Sequence, residues 1–356
     1  MSEHLVAVAE TTKLARLLGI TDPTELDFLV DLPPAALREF RERATDRLFD
    51  RDTKRLKGVA AGAKLVPVAI SAKVAQRAFG PTLCAAVAST IDPQRAIDIA
   101  KSLPAPFLAD CAVQLDPRRT AAIIAAVPPQ LVADVARELL THGDHITMGR
   151  FVHVVPEPAL RAAAPVMSDT DLLRIAFLLE DKTAIDHVLH IVADRVPGVI
   201  RAAAAQSMWA EAIDLLDSIA PHNRGWIGDL TAELDDNVID ALVTAVQELD
   251  AWPTLLPITG AMSTDSLRRF AERHAIQNPQ TLRALIASTG RHDLWAHAHP
   301  LVHAALTAET PAPVWATLIE LRDEIPADLL AELAERARQL GRDDDAGNLQ
   351  PVSATA

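Results

Sequence analysis

Between Ile91 and Glu138 the chain writes one 24-residue unit twice in succession. Ile91-Asp92-Pro93-Gln94-Arg95 returns as Leu115-Asp116-Pro117-Arg118-Arg119, Leu103-Pro104 returns as Val127-Pro128, and Leu108-Ala109-Asp110 returns as Val132-Ala133-Asp134. Self-similarity at this period marks a protein built from stacked supersecondary units, each unable to bury its apolar face alone. Every unit also carries its own punctuation. Asp before Pro is a helix start, since the carboxylate accepts from orphan amides of the first turn and Pro loses nothing at the first helical position. Helices are therefore predicted to begin at Pro93 and Pro117. The next prolines, Pro104 and Pro128, limit each first helix to about ten residues. A second helix follows, with apolar stripes at Phe107, Leu108, Cys111 and Ala112 and at Leu131, Val132, Val135 and Ala136.

Looser copies flank this pair. Thr21-Asp22-Pro23 starts a helix, Leu32-Pro33 stops it, and Ala36, Leu37 and Phe40 take the stripe positions. Arg38, Glu39, Arg41, Glu42 and Arg43 then read as a solvated face. From Pro128 to Pro156 the spacing lengthens by four residues near Thr141-His142-Gly143, which reads as a loop, with Asp144 as the next cap. Ala159, Leu160, Ala163 and Ala164 continue the stripe, and Ser168 is a plausible cap. Pro197, Pro221, Pro253 and Asn278-Pro279 mark later breaks, and a clear copy returns at Ile325-Pro326 with Leu329, Leu330, Leu333 and Ala334. The expected architecture is all-α: a right-handed α-solenoid of about six to eight short helix pairs. It divides into an N-terminal helical extension at 1–80, a repeat superhelix at 81–340, regular over 91–164 and irregular over 168–310, and a disordered, acid-rich tail at 341–356.

Composition narrows the function. Apolar residues make up 49% of the chain, but aromatic residues only 4%, and Tyr is absent, so the stacking platforms that bind bases and sugars are scarce. A net charge of -14 opposes binding to nucleic acid. Cys84 and Cys111 form no CxxC spacing and read as small buried hydrophobes. No stretch reaches the roughly 20 clean apolar residues of a spanning helix. The basic segment 51–60 with the apolar tract after it allows peripheral membrane contact through residues 51–74. The N-terminus lacks a secretory pattern, which gives a cytoplasmic expectation. No nucleophile elbow, Walker loop, dinucleotide glycine pattern or His-Glu-x-x-His is present, so an enzyme is not expected.

The alternation of Leu-Asp-Pro starts with Val-Pro-Pro or Leu-Pro stops, clearest from Ile91 to Ala164, resembles the intracellular N-terminal domain of MgtE-type magnesium transporters. It is also similar to the helical repeats of the flagellar motor switch protein FliG. The resemblance implies a right-handed superhelix of short helices. In those transporters the domain works beside CBS and transmembrane domains in sensing magnesium, and neither pattern is found in this sequence.

Three histidine groups have metal-binding chemistry. Asp186, His190 and Asp194 are spaced for one helix side. His142, Asp144 and His145 flank the lengthened spacing. The densest set is His292, Asp293, His297, His299 and His303, in which Pro300 is expected to end the helix after His299. The candidate metal ligands are therefore His292, Asp293, His297 and His299, for zinc or magnesium; no other cofactor is expected. The five tryptophans, all in the second half, either pack between helices or line a groove. The functional expectation is a non-enzymatic scaffold that binds a protein partner along its superhelical groove. The alternatives are a regulatory module that senses a divalent cation, magnesium, through its acidic surface, and an enzyme or lipid-binding protein that uses the His- and Trp-bearing second half.

Overall fold

A computed structural model describes residues 2–63 and 66–349. Among them every regular element is helical, and none is a strand. The chain forms two compact units, Met1–Ala193 and Asp194–Ala356, so the division falls inside the irregular stretch of the sequence and not near residue 80.

Unit 1 contains α1 (Ser2–Leu18), α2 (Pro34–Ala63), α3 (Val68–Val74), α4 (Gly80–Ala88), α5 (Pro93–Ala100), α6 (Ala105–Gln114), α7 (Pro117–Ile124), α8 (Pro129–Thr141), α9 (His145–Phe151), α10 (Glu157–Ala163), α11 (Asp169–Phe177) and α12 (Ile185–Ile191). The predicted starts are observed. Asp92 accepts from the Arg95 amide at 3.1 Å and Asp116 from the Arg118 amide at 3.0 Å, with Pro93 and Pro117 opening α5 and α7. Ser168 and Asp171 cap α11 reciprocally. In the first loose copy, Pro23 opens a 3-10 turn through Leu29, and Leu37 is buried, but Phe40 points outward and is 57% exposed. The lengthened spacing is not a loop insertion. α6 has ten residues and α8 thirteen, so most of the addition continues the helix, and Gly143, at φ 64°, then makes the turn into α9. Like packs on like across the repeats: α4 on α6, α6 on α8 and α8 on α10, with α3 on α5 and α5 on α7 in a second row.

The N-terminal helices join this array through buried charge. Glu10 and Lys13 of α1 and Arg41 of α2 are all buried. Lys13 Nζ donates to Glu10 at 2.9 Å and to Glu180, beyond α11, at 3.2 Å. Arg41 bridges the same two carboxylates, and Arg38 Nη2 reaches Glu10 at 3.0 Å. The face read as solvated thus supplies a buried cation, because a carboxylate from elsewhere in the chain awaits it. Burial alone would push the Glu180 carboxyl up, but Lys13 and Arg41 outweigh it and hold it at about 2. Glu10 is likewise lowered by Lys13, Arg41 and Arg38 against its own burial. Backbone geometry places Glu180. Its amide donates to the Gly149 carbonyl at 3.2 Å, and a β-carbon at residue 149 would stand 2.6 Å from the Leu178 carbonyl oxygen.

Unit 2 contains α13 (Val196–Ala205), α14 (Trp209–Leu216), α15 (Pro221–Ala232), α16 (Asp236–Glu248), α17 (Trp252–Thr259), α18 (Thr264–Ala271), α19 (Pro279–His292), α20 (Trp295–Ala305), α21 (Ala312–Glu320), α22 (Ala327–Gln339) and α23 (Asp343–Asn348). Pro197, Pro221, Pro253 and Pro279 each sit in the first turn of a helix, as breaks between helices require. Leu329, Leu330, Leu333 and Ala334 are all buried, in a core with Trp315 and Leu318. The described part of the expected tail is ordered as α23. Ala346 and Leu349 are buried in that same core, and Arg342 lies over the Trp315 ring and pairs with Asp345 at 2.7 Å. Residues 350–356, like Lys64 and Leu65 of the apolar tract, lie outside the described residues. No described helix is long and apolar enough to cross a membrane.

Gly149→Ala is expected to cost about 1–3 kcal/mol through overpacking against Leu178, read by urea unfolding. Glu180→Gln, which leaves Arg41 and Lys13 short of a buried partner, is expected to cost about 3 kcal/mol. The folded Glu180 carboxyl titrates below its ordinary 4.5. Its contribution is therefore complete above that value and is lost as pH falls from about 4.5 toward 2. The wild-type protein should lose stability through this window, and Glu180→Gln should lose less.

Candidate functional site: an apolar groove in unit 1

The repeat stripes do not close on one another. They line a half-open cavity of about 630 Å³. Its walls follow the register of the sequence repeat: Ile91 and Leu115 at the unit starts, Ile99 and Ile123 from the first helices, then Leu103, Val127 and Val155 before the second helices. Leu108, Val132 and Leu160 follow, with Cys111 and Val135 one turn further on. Ala136, Met148, Ala163 and Ile175 form a floor that belongs to a continuous core with Ala109 and Leu139. Most wall residues are only half-buried, whereas the floor is buried. Gly58, Val59 and Gly62 bring α2 along one side, and a β-carbon on either glycine would meet nothing within 4 Å.

Polar groups in the lining are few: Ser71, Thr147 and the two thiols. Both cysteines are free. The Cys84 thiol donates to the Ala75 carbonyl at 3.4 Å, at a π-type turn over Ala75–Phe79, and Cys84 and Cys111 interact with each other. Interaction with Cys84 and burial push the Cys111 thiol up, while interaction with Cys111 draws Cys84 down. Another cavity, of about 590 Å³, carries charged side chains, with Arg38, Arg41, Arg118, Arg150 and Lys182 set against Glu42, Asp116, Glu180 and Asp181. The buried network already commits Arg41 and Glu180 to each other. Burial, with Arg41 nearby, pushes the Arg150 guanidinium down, and its Nη2 donates to the Leu115 carbonyl at 3.1 Å.

The residues expected to bind metal are dispersed. His292 faces Asp250 at 3.4 Å; Asp293 forms the left-handed cap of α19; His297 is exposed. Of the four, only His299 stands in a ligand-like group, with His303 and Glu332. Two things hid that group. Pro300 does not end the helix, since α20 runs through it from Trp295 to Ala305, and Glu332 is remote in sequence. Asp144 caps α9 and pairs with Arg16, and His145 contacts Asp171 at 2.7 Å. α12 ends at Ile191, short of Asp194, so Asp186, His190 and Asp194 do not share one helix. Trp252 and Trp315 are fully buried, and no tryptophan lines the groove. Leu108, Cys111, Ala112, Leu131, Val132, Val135 and Ala136 of the two clean stripes line the groove, whereas Phe107 does not, and the sequence carries no sign of an opening. No family model, no curated protein and no solved structure matches the chain.

A half-buried wall residue should matter less to stability than a fully buried core residue of the same type elsewhere in unit 1. Leu173→Ala, at a site 2% exposed, is expected to cost about 3 kcal/mol, and Leu131→Ala, in the half-buried wall, less than about half of that. Urea unfolding of both variants measures the difference.

Proposed function

We propose that the chain is a non-enzymatic binding module whose apolar groove receives an amphipathic helix of a protein partner. In this reading the helix pairs of unit 1 stack as a right-handed α-solenoid, as the resemblance to MgtE-type intracellular domains implies. The supporting observation is the lining itself: wall positions recur from unit to unit along the groove, and almost none is polar. Packed helices lie about 8–10 Å apart, and seven residues of a partner helix rise about 10.5 Å. A partner with apolar anchors at i, i+3 or i+4, and i+7 would therefore set one anchor into each successive unit. The protein's net charge of -14 favours a partner helix with a basic outer face.

A second reading, an acyl lipid as occupant, is favoured by the volume and by the scarcity of orienting polar groups, since 630 Å³ falls within the usual range for small-molecule pockets.

One experiment separates the two. The purified full chain is extracted with solvent for mass spectrometry, and an environment-sensitive apolar dye is then titrated and displaced with a basic amphipathic helical peptide. The proposal expects saturable dye binding, displacement by the peptide, and no stoichiometric acyl chain. Val132→Glu is expected to weaken dye binding at least about tenfold, since it puts a charge into an apolar wall. Gly62→Leu fills open space and should weaken binding while leaving α2 at least as stable, because Leu has the higher helix propensity. Dye binding unchanged in both variants would remove the groove as the site. A stoichiometric co-purified acyl chain would replace the helix by a lipid.

A further inference from the structure

We infer that His299, His303 and Glu332 of unit 2 form a zinc-binding site. His299 and His303 lie four residues apart, one helical turn, on α20, and Glu332 reaches them from α22. Glu332 Oε2 stands 3.2 Å from His299 Nδ1 and 3.0 Å from His303 Nε2, and all three donor atoms lie within 4.8 Å of one another. In a tetrahedral zinc site with bonds of about 2.0–2.1 Å the donor atoms stand about 3.3 Å apart, so an ion can enter with small side-chain shifts. Two imidazoles and a carboxylate suit zinc, whereas magnesium and calcium prefer oxygen ligands alone.

The side chains are held from behind. Trp295 and Val302 of α20 pack against the core in which Leu329, Leu330 and Leu333 of α22 are buried around Trp315. The ligand-bearing faces are therefore fixed relative to each other by packing, as a metal site requires. Glu332 already orients both rings, and the shared hydrogen bond to His303, with His299 beside it, holds its carboxyl below the ordinary range. With His303 and Glu332 half-exposed, an ion has a path from solvent. Three protein ligands leave a fourth position for water or a partner's side chain, the pattern of an open site.

The test uses the tag-free, metal-stripped full chain. Zinc is titrated in competition with a chromophoric chelator, and cobalt(II) is added separately as a spectroscopic substitute. The expected result is one tight equivalent of zinc and an intense visible cobalt band of tetrahedral type. His303→Ala and Glu332→Gln should each weaken zinc binding at least about tenfold, since loss of a ligand exceeds the loss of an outer-shell partner. His292→Ala should leave it unchanged. Zinc should raise the melting temperature of the wild type, and of His292→Ala equally, by mass action. Unfolding without zinc checks that the exposed-site variants fold. No competition for zinc overturns the assignment. So does equal affinity in His303→Ala and Glu332→Gln, or loss of binding in His292→Ala.

Discussion

Proline limits the helices of unit 1, and the groove follows from that limit. α5 and α7 have eight residues each, about 12 Å of helix, too short to be stable alone in water. Each is stable only by packing on the matching helix of the next unit, which leaves the stripes of successive second helices side by side along one face. Closing that face would take large side chains, but Cys111, Ala112, Ala136 and Ala163 on it are small. The same small residues that let the helices approach closely leave the inner surface unfilled.

Charge does what proline cannot, for it fixes α1 and α2 against the array. Burying two carboxylates and two cations is expensive, and a buried ion network is a poor source of net stability. Its effect is positional. Arg41 can bridge Glu10 and Glu180 in only one register of α2, and that register carries Gly58, Val59 and Gly62 to the edge of the groove. Gly149 enters the same chain of dependence, because the backbone approach it permits presents Glu180 to the two helices.

Local chemistry was legible in the sequence and long-range partnership was not. Asp92, Asp116, Asp144 and Ser168 were readable as caps because a cap is completed within three residues. The Leu329, Leu330 and Leu333 stripe was readable because helical period alone places those side chains together. Arg41 looked solvated since its carboxylates come from residues 10 and 180, and the histidine group was misassembled since Glu332 lies on another helix. Leu349 and Ala346 looked like part of a polar tail, yet two apolar side chains three apart were enough to seat α23 on Trp315. For the groove, periodicity shows which face is apolar but carries no information on what covers it.

The longer α8 bears on how such a chain can change over time. α8 is three residues longer than α6, an advance of roughly 300° that stops short of a full rotation, and the left-handed turn at Gly143 then redirects the chain into α9. Val135 and Ala136 upstream of the turn, and Met148, Phe151 and Leu160 downstream, still meet in one cavity. Units of this kind can lengthen without scrambling their inner surface. The length of the helices and the chemistry of the groove are thereby open to separate variation, one by insertion and the other by substitution at the wall positions.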